Sequence, residues 1–268
     1  MAQKKQIAQH FFQFGEKKYI KPHIFEVDLY DHERRKNSKE LDYIHEIGGL
    51  QFVQAAQNAF KNLNLSFSPS AIKMQYNEGG GGCFPWHYDN AGNPSKRQLT
   101  CVIYLNPEWK EGDGGEIVVW PFLEQPVKIA PKMDRAVLFR SDMVLHRVMP
   151  SKKERFCFSI WCDGNEVNKP QDTQLTSDKL QFTSWDQAFD FFKNSPLQRV
   201  LSRAVYKEEY EQSLLECVGN TEAENPMLNS HHANCQQIEK QLKPLITQLR
   251  ANKFGGEEKQ KLEYIEIN

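Results

Sequence analysis

The spacing of apolar residues changes twice along this 268-residue chain. Between about Tyr19 and Asp31 apolar and polar positions alternate loosely, which predicts one or two short strands ahead of the charged run Asp31 to Glu40, read as a solvated loop. Leu41, Ile44, Val53, Ala56, Phe60 and Leu63 then recur at helical spacing across an interruption at Gly48-Gly49, so two helices or one broken helix are expected to cover a sheet. In the middle the period becomes two. Gln98 to Leu105, Glu116 to Phe122, Arg135 to Arg140 and Arg155 to Trp161 read as strands separated by Gly, Pro and Asp turns. The runs Gly79 to Gly82 and Gly112 to Gly115 read as loops that let backbone turn sharply or approach a ligand.

After Lys169 the helical period returns. Ser184-Trp185-Asp186-Gln187 is a capping-box sequence ahead of Ala188, Phe189 and Phe192. A second helix is expected from Ser195-Pro196, with Leu197, Val200, Leu201 and Ala204 as its buried stripe, and a third stripe (Ile238, Leu242, Leu245, Leu249) is crossed by Pro244. Asn220 to Ser230 reads as a polar linker. The pattern thus divides into N-terminal strands and supporting helices over residues 1–65, a mainly β core over 66–168, and a C-terminal helical extension over 169–268. The helical stripes could instead meet a partner protein, but covering the β core is the commoner use of such a face.

Charge and composition narrow the classes. Thirty-four basic against 35 acidic residues, net −1, remove the overall attraction expected of a nucleic-acid-binding protein. No apolar run approaches the ~18 residues of a membrane span, and the first residues lack an apolar signal core, so a cytoplasmic or nuclear protein without a membrane partner is expected. The six cysteines form no Cys-x-x-Cys pair and read as free, mostly buried thiols.

The chemistry concentrates at His87, Asp89 and His146. His87-Tyr88-Asp89 followed by His146, 59 positions beyond His87, offers two imidazoles and a carboxylate, a set that can hold one octahedral ferrous ion and leave adjacent positions for a chelating co-substrate and dioxygen. Alone, His-x-Asp is common by chance, and its neighbours decide. Period-two alternation sends Arg155, Cys157, Ser159 and Trp161 to one face of the last core strand, and Thr100, Val102 and Tyr104 to one face of another. An arginine aimed into such a site is a bidentate partner for the far carboxylate of a metal-chelating acid. With the Ser159 hydroxyl, the Tyr104 phenol and Val102 against the carbon chain, the pocket suits a five-carbon diacid. Trp86 reads equally as a substrate-facing aromatic or as packing, Arg97, in an expected loop, as a solvated arginine ahead of one that helps hold substrate, and His231-His232 as exposed loop.

From Lys73 to Asp163 the chain resembles the 2-oxoglutarate- and Fe(II)-dependent oxygenases, and within them the prolyl 4-hydroxylases, including the oxygen-sensing group. The match runs through Tyr76, His87-Tyr88-Asp89-Asn90, Arg97, Thr100 to Asn106, Trp109, Gly114-Gly115-Glu116, Asp134-Arg135, Phe139, Ser141-Asp142, His146, Arg155 and Trp161. The resemblance implies a double-stranded β-helix, or jelly roll, with iron at its open end and buttressing helices before it. It implies that His87, Asp89 and His146 hold Fe(II), that Arg155 binds 2-oxoglutarate with help from Tyr104 and Ser159, that Tyr76 hydrogen-bonds near the metal or co-substrate, and that Trp161 forms pocket wall. It further implies O2 as oxidant, ascorbate as a possible reductant, succinate and CO2 as products, and a proline-containing protein or peptide as partner.

Phe84 departs from the pattern, standing where the oxygen-sensing members commonly carry tyrosine. Two other readings stand beside this one. A nucleic-acid demethylase, or an oxygenase of small molecules, could use the same scaffold, although demethylases typically carry a second arginine where this chain has Trp161. An inactive binding module would be expected to have lost a ligand, and none is lost.

Overall fold

Two antiparallel sheets face one another. The computed structural model describes residues 7–14, 16–29, 49, 51–90, 92, 94–165, 175, 180–218 and 226–255. The charged run expected to form a loop at Asp31 to Glu40, and the first of the two expected N-terminal helices, lie outside these residues. The larger sheet runs β1 (Ala8–Phe14), β2 (Lys17–Asp28), β3 (Leu65–Asn77), β10 (Arg155–Gly164), β5 (Arg97–Tyr104) and β8 (Ala136–Arg140). The smaller runs β4 (Gly82–His87), β9 (Val144–Ser151), β6 (Ile117–Pro121) and β7 (Val127–Ile129). The expected jelly roll with flanking helices is therefore the observed architecture.

The strand phases follow from which faces are apolar. Leu99, Cys101, Ile160 and Cys162 point outward from the larger sheet and bury themselves, with Leu65 and Ile72, under Val53 and Ala56 of helix α1 (Phe52–Ala59). Val102, Tyr104, Val137, Phe139 and Cys157 point inward and meet Ile117 of the smaller sheet. Strands that alternation did not single out carry Pro69 in β3, Pro85 in β4 and Pro150 in β9. Each removes a backbone donor, so these segments look like poor strands until neighbours supply the pairing.

The C-terminal helices α2 (Trp185–Lys193), α3 (Gln198–Val205), α4 (Lys207–Val218) and α5 (Pro226–Ala251) cover the outer face of the smaller sheet. Ser184 caps α2 as its sequence predicts, its Oγ accepting from Gln187 N at 3.2 Å. Ser195-Pro196 open a tight turn from which α3 emerges. The apolar stripe Leu201, Ala204 and Val205 joins Tyr206 and Tyr210 against Trp86, Trp120 and Leu145. Trp86 is thus a packing residue. Pro244 produces a kink at Leu242 (φ −128°, ψ 29°) inside α5. No helix among the described residues is long and apolar enough to cross a membrane.

Three local expectations need correction. Residues 226–230 are the first turn of α5 rather than linker, because Pro226 is well tolerated at a helix start. His231 is fully buried in that helix, its Nε2 3.0 Å from Lys207 O, rather than exposed in a loop. Cys83 and Cys217 form a disulfide, with Cα atoms 5.5 Å apart, while Cys101, Cys157, Cys162 and Cys235 are free and buried. The pair is 134 residues apart in sequence and meets only because α4 packs on β4, so spacing carries no trace of it. Disulfides persist in oxidising surroundings, which the expected cytoplasmic or nuclear placement does not supply. Thiol titration of the denatured protein should find four reactive groups before reduction and six after; six at the outset would remove the cross-link.

Candidate active site

The site begins with a register. Antiparallel pairing of β4 with β9 sets His87 directly opposite His146, with ring centroids 4.2 Å apart, and Asp89 follows His87 as the chain leaves the strand. His87 Nε2 lies 3.4 Å and His146 Nε2 3.6 Å from the same oxygen, Asp89 Oδ1, and the three ligand atoms fall within 4.8 Å of one another. The far nitrogen of each ring turns back to its own strand: His87 Nδ1 is 2.8 Å from Pro85 O and His146 Nδ1 3.2 Å from Val144 O. An Nδ1–H donated to each carbonyl fixes the tautomer and leaves the Nε2 lone pair facing the common centre.

Asp89 is held from behind. Its other oxygen, Oδ2, accepts from Thr100 Oγ1 at 2.7 Å and from Trp161 Nε1 at 3.0 Å, and Thr100 Oγ1 is also 2.8 Å from Ser141 Oγ. One oxygen is thereby assigned to the surroundings and the other to the centre. Burial alone pushes the Asp89 carboxyl up, but its two histidine neighbours, His146 foremost, outweigh it and hold the group well below its usual range. Burial, followed by the neighbouring His146, pulls His87 below the ordinary imidazole value. A carboxylate and a neutral imidazole are the forms a hard divalent ion needs.

Arg155 enters the same cavity from β10. It is 3 % exposed; its Nε donates to Gly115 O at 2.8 Å, Nη1 lies 3.3 Å from Cys157 Sγ, and Cζ stands 5.1 Å from the Tyr104 ring centroid. Gly115 makes room for it. Its φ is +76°, and a Cβ there would lie 2.7 Å from Arg155 Cδ. The cavity is lined by His87, Asp89 and His146 at one end, Arg155 and Ser159 farther in, and Val102, Ile117, Val148, Phe84, Gln75, Cys157 and Trp161 around the sides. Tyr104 is completely buried beside Arg155, and its hydroxyl has no hydrogen-bond partner among the described residues. A buried guanidinium and an orphaned buried hydroxyl ask for an anionic acceptor that the protein does not provide. The far carboxylate of 2-oxoglutarate is such an acceptor, so the donor set fits Fe(II) at one end and this co-substrate at the other.

The residues expected at the site are brought together with one exception. Tyr76 faces away. It pairs with Phe156 across β3 and β10, stacks on that ring at 4.8 Å, and its hydroxyl donates to Glu154; burial, and then this bond, pushes its pKa up to about 12. Cys157 pairs with Gln75, so Gln75 takes the inward position one residue earlier. A one-residue difference in strand phase moves a side chain to the opposite face, and β3 alternates too weakly to show which phase holds. Gln75, Ile117 and Val148 escaped the sequence reading for the same reason. Arg97 is not simply solvated: its Cζ lies 4.6 Å over the Trp161 ring that donates to Asp89. A second cleft, of about 440 Å³, lies where residues 180–185 meet the α5 kink, but it is lined by Leu180, Phe182, Trp185, Leu242 and Pro244 and gathers no titratable groups.

Residues 73–163 match the model of the 2OG-Fe(II) oxygenase superfamily, and the chain belongs to that family. A solved prolyl 4-hydroxylase from Phytophthora capsici is 45% identical and superposes with a TM-score of 0.73 over 85% of this chain and 77% of its own. Human Egl nine homolog 1 is 33% identical over 105 residues, 38% of this chain and 24% of that protein, and the rat protein is equally similar over 31% of its length. The chain therefore spans about a quarter to a third of those curated relatives. A Trichoplax adhaerens prolyl hydroxylase, solved with a hypoxia inducible factor peptide, shares the fold at 21% identity and a TM-score of 0.50, over 60% of this chain and 72% of its own.

Replacing Thr100 by Val keeps the shape and removes one of the two donors on Asp89 Oδ2. Fe(II) affinity should fall by about ten- to a hundredfold, as losses behind a metal ligand typically do. Competition with a chelator of known affinity measures it, and unchanged affinity would show that Trp161 alone positions the carboxylate.

Proposed function

We propose that this protein hydroxylates a proline residue of a protein or peptide, consuming 2-oxoglutarate and O2 and releasing succinate and CO2. One observation carries the reading. A His–Asp–His cluster and a buried Arg155 share a single cavity, with Tyr104 buried beside the guanidinium. The kinship with a prolyl 4-hydroxylase at 45% identity supports proline as the target.

In this reading His87 Nε2, His146 Nε2 and Asp89 Oδ1 hold Fe(II), which when bound supplies the activation of dioxygen that side chains cannot. Everything else is positioning. Arg155 pairs with the far carboxylate of 2-oxoglutarate, and Tyr104 and Ser159 donate their hydroxyls to it. Val102 lies against the carbon chain, while Trp161, Ile117 and Val148 keep water away from the reacting end. Thr100 and Trp161 hold Asp89 so that the ligand set stays open on the cavity side. Ascorbate belongs to this reading as the agent that returns oxidised iron to Fe(II).

Anaerobic titration with Fe(II) and then 2-oxoglutarate tests the site without knowledge of the substrate. The visible charge-transfer band of the chelate should form in the wild type and be lost in His146→Ala. Arg155→Ala should need about ten- to a hundredfold more 2-oxoglutarate, the scale of a lost charge-assisted hydrogen bond. Equal affinity in Arg155→Ala would remove that residue from the co-substrate site. Admitting air in the presence of proline peptides should then yield a mass gain of one oxygen atom on proline and an equivalent of succinate.

A further inference from the structure

Two side chains of the β1–β2 hairpin rest on Phe84, one wall of the iron cavity, and neither has its full complement of partners. Lys21 Nζ lies 3.8 Å from the Phe84 ring centroid, and the Phe84 ring lies 6.3 Å from that of His87. Among the described residues Lys21 forms no ion pair. The carboxylate on its own strand, Glu26, is already shared: Oε1 takes Lys73 Nζ at 2.8 Å and Oε2 is 3.3 Å from His10 Nε2. Glu26 pairs with the cavity-lining Gln75, which places this charged group on the inward face of the larger sheet. Burial outweighs Glu26 and Asp89 and pulls Lys21 down to about 7, the behaviour of an ammonium short of an anion.

His10 supplies the second unmet demand. Its ring meets Phe84 edge-on at 5.6 Å, and its Nδ1 is buried without a hydrogen-bond partner. Burial, with Lys21 and Lys73 nearby, holds its pKa near 3, so the ring is neutral. If Nε2–H donates to Glu26, Nδ1 is a bare acceptor. Lys21, without an ion pair among the described residues, thus stands beside the His10 ring on Phe84 at one edge of the metal site.

A peptide carboxylate supplies the anion that Lys21 lacks, whereas His10 Nδ1 is enclosed and out of a peptide's reach. The 3.8 and 6.3 Å spans that lead from Lys21 through Phe84 to the His87 ring limit their separation to at most about three residues of extended chain at ~3.3 Å each. We propose that Lys21 is a specificity residue of the substrate groove and binds a carboxylate of the peptide within about three residues of the target proline, with the His10 ring packed beside it against Phe84. The inference rests on the prolyl-peptide reading. It predicts an acidic side chain as the source of the carboxylate, and a peptide C-terminus carries the same chemistry.

The test is peptide binding, by fluorescence anisotropy, to protein loaded with Fe(II) and 2-oxoglutarate under argon. Short proline peptides are compared with Glu or Gln at each of the three positions on either side of proline, each with a free or an amidated C-terminus. Wild type should bind the best-placed Glu peptide about tenfold or more tightly than its Gln counterpart, the scale of one charge-assisted contact. Lys21→Gln should erase that ratio, Lys21→Arg should keep it, and Lys21→Glu should reverse it for Lys-containing peptides. An unchanged chelate band shows that each variant is folded. Preference that follows the free C-terminus instead of Glu assigns the carboxylate to the chain end. Equal binding of every Glu and Gln peptide with either C-terminus, or a ratio that survives Lys21→Gln, overturns the proposal. Failure of every peptide to gain oxygen on proline, with the chelate band intact, overturns the prolyl reading itself.

Discussion

Everything at the centre of this molecule depends on one cross-strand pair. His87 and His146 are direct partners across β4 and β9, and no covalent or local constraint brings them together. A slip of one residue in that register would turn one imidazole out of the barrel and leave two ligands, too few to hold iron against water. The carboxylate is less exposed to such error, because Asp89 is two residues from His87 and is captured by donors on two strands of the opposite sheet, Thr100 and Trp161. The metal centre is thus a joint between the sheets. The smaller sheet supplies the imidazoles, and the larger one orients the carboxylate and carries Arg155.

This division explains how much could be read from the chain. Where a strand has strong alternation, its inward set was visible in advance: Arg155, Ser159 and Trp161 on β10, and Thr100, Val102 and Tyr104 on β5, all face inward as the period demands. Where alternation is weak, it was not. Tyr76 and Gln75 are one step apart on β3, both plausible as pocket residues, and only pairing with β10 selects the glutamine. The disulfide lay beyond sequence reasoning altogether, since it follows from the docking of α4 on β4. The same is true of the hairpin: His10 and Lys21 carry no motif, and they matter only because strand pairing brings them to Phe84.

Phe84 itself changes meaning in that setting. As a sequence feature it is a departure from the family's pattern, an aromatic without the hydroxyl that related enzymes carry there. In the fold its ring faces the cavity and receives an ammonium on one side and an imidazole edge on another. A phenyl face attracts a cation and needs no hydrogen bond of its own, so it can hold Lys21 near the metal without competing for the group that Lys21 would bind.

The helical extension acts on the centre through the backs of the two metal-bearing strands. Along β4 and β9 the residues that face inward are Phe84, His87, His146 and Val148, while Cys83, Trp86, Leu145 and Arg147 face the helices. Each outward position is tied down by a different kind of bond. Cys83 is cross-linked to Cys217, Trp86 N donates to Ser213 Oγ at 3.2 Å, Arg147 Nη2 reaches Glu216 Oε2 at 2.6 Å, and Leu145 is buried in the apolar cluster under α3. Three of these partners lie on α4 alone, at positions 213, 216 and 217, one turn of one helix. A pair of strands interrupted by Pro85 and Pro150 has weak hydrogen bonding of its own. The C-terminal helices therefore do more than cover an apolar sheet: α4 splints the pair of strands whose register sets the two histidines.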